Sequence, residues 1–577
     1  MSTSGTSRAR VHDPEPSTPT AGRERVVSTH IQASSPHYAT TRRHSLYGTE
    51  DRIILDPGSR VWKVGFSGEG RPRDVFVVGD NGSGLWRLSS AEDPAEREEN
   101  ERQLEAKMQY HLRRVFHESL LTDPKSRKVI IVENPLLSIS IKELLAKILF
   151  NNLQVPSISF APSHLLSLLG VGLMSGLVID TGHLESTVLP VISSRPLYPY
   201  LKTTPLAGSR LNSHIRTLLV LFGTYIPPPT TLSGAASVST GPRRERIPEE
   251  ILTDAVIEEI KTRCCFVGEP PNLPKPSTSS MPAPPPSDDA MSVDVPASEP
   301  PSESGVSRIS ETDLSREPLE SRAPGNDRHA MDNHSQWVFS MFRQQSTTTD
   351  VKIKVNPPAR QQTGTGKGTI IIPGWIRERA AECLFDGDVD ESSVAEVILD
   401  SLLKVPRDLR KGLISSILVA GGTAVLPGFI PRLHVELMKA LTPREDHGKR
   451  HGRRSYNRYT SLQPLSPYIG ILNNPSPPAL ARPTVGRAPA YNPSALPWVG
   501  GSLAGALKTG GEEILRERWD EAQSDLDTSM DIDPTMIHGI PWASRTKTIL
   551  PDWSRTPLPI GAPSATAVPS TPMIAVS

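Results

Sequence analysis

Aromatic side chains make up only 5% of the 577 residues, hydrophobic residues only 36%, and cysteine occurs three times. So little apolar surface leaves much of the chain unable to offset its conformational entropy by burial. One folded unit with long disordered inserts is therefore expected, not a string of packed domains. Cys264, Cys265 and Cys383 are too few and too unevenly spaced for a zinc site or a disulfide framework, and they point to a reducing compartment. An excess of either charge is missing too: 63 Lys and Arg face 63 Asp and Glu, which gives no global field for nucleic acid or a membrane surface. The uncharged stretch 155–179 is interrupted by Pro156, Pro162 and glycines, so it reads as a loop, a buried helix and a strand instead of a membrane span. Near the start, Asp13, Glu15 and Glu24 with several prolines argue against a transit peptide, and no early apolar run suggests a secretory signal.

Proline is plentiful, at 57 residues. Its distribution divides the chain into a polar arm at 1–50, a first folded half at 51–222, and a linker with a helix at 223–268. A Pro/Ser-rich insert at 269–348, a second half at 349–524 and a tail at 525–577 follow, the arm, insert and tail being predicted disordered. Strands are expected at 129–132 and, as a hairpin, at 349–355 and 369–372; helices are expected at 140–149, 394–413 and 512–522. The spacing of Leu252, Val256 and Ile260 predicts an amphipathic helix over 248–263.

Two stretches repeat one design. Ile53-Ile54-Leu55-Asp56-Pro57-Gly58-Ser59 and Leu177-Val178-Ile179-Asp180-Thr181-Gly182-His183 each run a β-branched strand into Asp-x-Gly before an apolar return strand. Alone, either is more often an ordinary β-turn. As a pair they suggest the two halves of a phosphate clamp, in which Gly permits close backbone approach and Asp holds a water or Mg²⁺ beside the phosphate. A third segment, Ser416 to Phe429, is a strand followed by Gly421-Gly422, whose bare backbone suits a flat purine or ribose. Helical spacing then runs through Leu433, Leu437 and Ala440.

In this order the three loops resemble the actin family of the actin, Hsp70 and sugar-kinase superfamily. Trp62 to Gly68, Leu206-Ala207-Gly208-Ser209-Arg210-Leu211, Ile260 to Val267 and Trp498 to Ala504 are similar to further actin blocks in the same order. The resemblance implies an α/β, actin-like duplicated fold and a cleft for ATP or ADP with Mg²⁺. Asp56, Gly58, Ser59, Lys63, Asp180, Gly182, Lys261, Gly421 and Gly422 fall at its nucleotide positions, with Asp56 and Asp180 reaching the metal through water. Two departures stand out: Pro57 has no N–H to offer a phosphate, and Arg60 replaces a Gly, either blocking the cleft or pairing with phosphate oxygens. Where actins carry water-handling Gln, Asp and His, this chain has Ser163, His183 and Thr187. A positioned acid–base group is worth roughly 10² to 10⁴ in rate, so negligible hydrolysis and no catalytic residue are expected.

The altered regions have a direction. Residues 74–127, matching the first outer subdomain, are shortened, the second outer subdomain is largely replaced by the insert and a hairpin, and Asp386 to Glu391 is acidic where actins carry an apolar plug. The inner segments are kept. Taken with the resemblance, this implies a divergent actin-related protein that joins the pointed end of the dynactin filament without polymerising. Its implied partners are an actin-like filament subunit, pointed-end accessory subunits and, indirectly, dynein, in the cytoplasm and cytoskeleton; no direct nucleic acid, membrane span or homopolymer is expected. The alternatives are a nuclear subunit of a chromatin-remodelling complex, supported only by the basic run 447–454, and an active actin-like ATPase. Gly364 to Thr369 mimics a phosphate loop but lies between two short strands, so it reads as a hairpin tip.

Overall fold

The structure is a computed structural model describing residues 52–79, 84–86, 93–228, 244–271, 333–358, 366–387, 390–442, 458–477, 486, 488–489, 491–529 and 549–552. The arm, most of the Pro/Thr/Ser linker, residues 272–332 of the insert, the basic run 447–454 and most of the tail lie outside these.

The first core is built on strands β1 (Ile53–Pro57), β2 (Val61–Phe66) and β3 (Asp74–Val77), helix α1 (Pro94–Arg114), strand β4 (Val129–Glu133), helix α2 (Ile139–Lys147) and strand β5 (Ser157–Pro162). Asp93 caps α1 by accepting from Ala95 N, and Ser138 caps α2 by accepting from Ile141 N. Central strands β1 and β4 are buried almost throughout, as strands covered on both faces must be.

Helix α3 (Ser163–Gly170) then leads into the second core: β6 (Gly176–Thr181), β7 (Ser186–Ile192), β8 (Arg195–Pro196), β9 (Lys202–Thr204), α4 (Gly208–Phe222), β10 (Thr224–Ile226) and α5 (Asp254–Cys264). It continues with α6 (Asn333–Gln345), β11 (Val351–Val355), β12 (Gly368–Ile372), α7 (Gly374–Arg379), α8 (Val394–Lys404), α9 (Arg407–Ile414), β13 (Ile417–Ala420) and α10 (Phe429–Leu441). The chain finally returns to the first core with α11 (Leu496–Ala506), β14 (Glu513–Leu515) and α12 (Arg516–Ser529).

Three sheets result. The first has the order β14-β5-β4-β1-β2-β3, the second β13-β6-β7-β8 with β9 also on β7, and the third β10-β12-β11. β4 runs parallel to β1 and β5, and β13 parallel to β6, while β1–β2 and β6–β7 are antiparallel hairpins. The duplicated α/β arrangement expected from the sequence is thus present.

Helices α3 and α11 form a spine between the two main sheets. Leu166 and Trp498 pack with Ile54, Ile130 and Val132 of the first sheet, and Leu168 and Leu496 with Val178 and Leu418 of the second. Trp498, fully buried, donates its indole N–H to Ile54 O at 3.2 Å. A Cβ on Gly500 would lie 1.7 Å from Leu166 O, so only glycine lets the helices approach this closely.

Several expectations need correction. The second core starts at β6, inside the span 51–222 read as one half, because Leu177, Ile179, Val188 and Leu211 pack into the second cluster. The helix expected at 248–263 begins only at Asp254, where Thr253 caps it by accepting from Val256 N; its buried face is Ile257, Ile260, Lys261 and Cys264. Within the 223–268 linker, Thr224–Ile226 pairs with β12. Pro406, which has no N–H to continue a helix, splits the one expected at 394–413 into α8 and α9. Glu513–Leu515, expected as helix, is a strand on β5. The insert's end folds as α6: Phe339 lies 5.6 Å from Phe222 and 5.9 Å from Trp375 between ring centroids, and Phe342 is buried. In the tail, Leu550 enters the first core and Lys142 Nζ donates to Pro551 O at 2.7 Å. No helix among the described residues is long and apolar enough to cross a membrane.

Candidate functional site

The two Asp-x-Gly turns sit at the ends of buried strands, and strand register decides what faces each Asp. In the first hairpin Asp56 lies opposite Lys63, and Lys63 Nζ donates to Asp56 Oδ2 at 2.7 Å. In the second, Asp180 lies opposite Thr187 and beside Ala420 of parallel β13, which delivers Gly421 to the turn. Gly421 adopts φ +102°, and a Cβ there would meet Thr181 O at 2.3 Å, so both conformation and space demand glycine. Thr423 Oγ1 donates to Gly182 O at 2.7 Å, tying the Gly-Gly loop to the second hairpin. The first amides of α4 do the same: Gly208 N donates to Gly182 O at 3.1 Å and Ser209 N to His183 O at 2.7 Å. The Leu-Ala-Gly turn thus buttresses the hairpin, satisfying helix amides that Ala207 cannot cap.

Asp56, Gly58, Ser59, Lys63, Asp180, Gly182, Lys261, Gly421 and Gly422 all line one cavity of about 550 Å³. Ser163, His183 and Arg60 line it as well. One detail departs from expectation. Gly58 N is directed at Asp56 O (3.2 Å) and Gly182 N donates to Glu185 O (3.0 Å), so these amides serve their own turns.

Sequence reading missed two carboxylates in the lining, Glu185 and Glu258. Burial raises the Glu185 carboxyl to about 7, helped by the charge of Asp180 and opposed by a hydrogen bond with Thr203. Burial likewise raises Asp180 to about 6, with Asp56 adding to the effect and Lys63 opposing it. For Glu258 burial acts upward too, but Lys261 and Arg60 outweigh it and hold the carboxyl below its usual range. His183 falls to about 4 through burial and the nearby Arg60 and Lys261 charges, so it is neutral at pH 7.

Two of the three positions assigned to water handling, Ser163 and Thr187, are linked through another missed residue, His164. Ser163 Oγ lies 3.1 Å from His164 Nδ1, and His164 Nε2 lies 3.2 Å from Thr187 Oγ1 and 3.3 Å from Thr187 O. Burial holds His164 at about 4, so the ring is neutral and has one N–H. A carbonyl only accepts, so that N–H belongs on Nε2 and Ser163 donates to Nδ1. Within Leu-Leu-Ser-Leu-Leu surroundings, a histidine at the start of a buried helix was the one available sign.

The lining fits a nucleoside phosphate with its metal held indirectly. It offers glycine backbone on three loops, at Gly58, Gly182 and Gly421-Gly422, and the cations Lys63, Lys261 and Arg60. No group of three or more His, Cys, Asp or Glu that could hold a metal directly occurs among the described residues.

The family model for actin matches residues 105–526, well over half of the chain. The chain belongs to the actin family. The match begins after the first hairpin. Among curated proteins, actin-like protein 7A of Mus musculus is 28% identical over 157 residues, covering 27% of this chain and 30% of that protein. The Bos taurus protein of the same name is 27% identical over 169 residues, covering 29% and 33%. The chain therefore spans about a third of the length of these relatives.

Proposed function

We propose that this actin-related protein is a non-polymerising structural subunit that ends an actin-like filament at its pointed end, in dynactin, and so supports dynein-based transport. The observation that carries this reading is the contrast between two surfaces. Helix α11 is buried along most of its length, yet its Leu503 and, one turn on at its C-cap, Leu507 are exposed to solvent. Such a pair is suited to docking on a neighbouring subunit. In the second core, by contrast, Asp386 and Asp390 are exposed beside Glu391, and burying them at a filament contact would be costly. A head-to-tail contact that works on one face only terminates growth.

In this reading the cleft keeps nucleotide without turning it over. The two hairpins would hold ATP or ADP with Mg²⁺, whose phosphates would supply the negative charge that this lining is suited to receive. Lys63 and Lys261 would offer charge to the phosphates, Gly58, Ser59, Gly182, Gly421 and Gly422 would let them approach the backbone, and Asp56 and Asp180 would hold the metal indirectly. Ser163 supports the absence of hydrolysis, because its hydroxyl is engaged by His164 and, where the family carries a water-orienting Gln, it offers no carboxamide.

The test is purification of the tagged protein from its own cells, with counting of what accompanies it. One copy per dynactin-like filament is expected, lost when Leu503 and Leu507 are both changed to Asp and kept when 272–332 is deleted. Several copies per filament, self-assembled filaments, or association with a remodelling ATPase would overturn the reading.

A further inference from the structure

Arg60 belongs to the turn between β1 and β2 in the first core, whereas Glu258 and Lys261 belong to α5 in the second, with Asn212 beside them on α4. All converge on one oxygen. Glu258 Oε2 lies 2.6 Å from Lys261 Nζ, 3.0 Å from Asn212 Nδ2 and 3.6 Å from Arg60 Nη2. The Arg60 and Lys261 side chains are 6% and 8% exposed, so neither charge has water as its main partner. On the other side of the cleft Lys63 is occupied by Asp56. The cations facing the cavity thus have protein counter-ions already in place.

We infer that the Arg60–Glu258 pair is a built-in clasp, joining the two cores across the cleft without nucleotide. A nucleoside di- or triphosphate enters by displacing Glu258 from Arg60, so Glu258 competes with the phosphate and sets its affinity. The Arg60 guanidinium then has two successive partners, the Glu258 carboxylate and a phosphate oxygen, both suited to its planar fork. The inference rests on reading this cleft as a nucleotide site.

The full-length protein is stripped with EDTA and desalted, its thermal midpoint is measured, and a fluorescent ADP is titrated in with Mg²⁺. Stripped wild-type protein should unfold in one cooperative transition, and Arg60→Gly should lower that midpoint by about 3 °C or more. Glu258→Gln, which removes the competitor and leaves both cations, should bind ADP about tenfold more tightly than wild type. The charge-swapped double variant Arg60→Glu with Glu258→Arg should recover most of the midpoint, which a packing role at either position would not produce. An unchanged midpoint in Arg60→Gly, or unchanged or weaker ADP binding by Glu258→Gln, would overturn the clasp; if Arg60→Gly does not fold, the Glu258→Gln titration decides alone. Neither readout follows phosphate release, so turnover of ATP would contradict the proposed function and leave the clasp standing.

Discussion

The two cores meet in two places built from opposite materials. At the spine, α3 and α11 touch through backbone, with Gly500 pressed on Leu166 O and apolar side chains reaching into both sheets. At the cleft, Arg60 of the first core faces Glu258 of the second, and Lys63 pairs with Asp56 inside the first hairpin. Close-packed backbone contacts have no alternative arrangement, whereas ion pairs can exchange one counter-ion for another. The spine is thus held by close packing, and the cleft by charges whose partners can exchange.

The contrast can be broken at the spine with the largest effect. Gly500→Ala puts a Cβ where Leu166 O stands and should cost about 4 kcal/mol or prevent folding, read as the urea midpoint. A wild-type midpoint would show that the spine can shift. In the cleft, Lys63→Ala leaves the half-buried Asp56 near Asp180 without its cation and should cost about 2 kcal/mol by the same assay. Here added Mg²⁺ should restore part of the loss, which it cannot do for Gly500→Ala.

A comparable effect should follow pH. Glu185 titrates near 7 in the folded protein against 4.5 ordinarily, so the fold binds an extra proton between those values. Stability from this group therefore falls as pH rises through that window, and the cost is complete above it. Glu185→Gln should raise stability by about 2 kcal/mol at pH 8 and change little at pH 4.5, measured by urea titration at both. Equal effects at the two values would show that the carboxyl is solvated. Smallest of all, Thr423→Val removes the hydrogen bond to Gly182 O and should cost about 1 kcal/mol. Its cleft should still bind ADP, since the Gly421 conformation that shapes the loop is untouched.

Much of this was legible before any coordinates, for physical reasons. The Asp-x-Gly turns and Gly421-Gly422 were readable because glycine at a required left-handed or crowded position leaves a mark in the sequence. The apolar strands beside them show the same face pattern in sequence and structure. Helix ends were less legible: Thr253 and Pro406 are ordinary local signals, overridden in reading by the apolar spacing on either side. Glu513–Leu515 was read as helix because its strand character comes from pairing with distant β5. Glu258 and His164 were missed since their roles arise from partners on other elements, Arg60 and Thr187, and nothing in their neighbours along the chain announces either contact.

The central claim, a cleft that can hold nucleotide and does not turn it over, is tested most directly by single-turnover phosphate release. Purified full-length protein is loaded with Mg²⁺ and γ-labelled ATP, and bound nucleotide and released phosphate are followed together. The expected result is bound ATP with release no faster than in buffer. Steady release that disappears in Asp180→Ala would contradict the account.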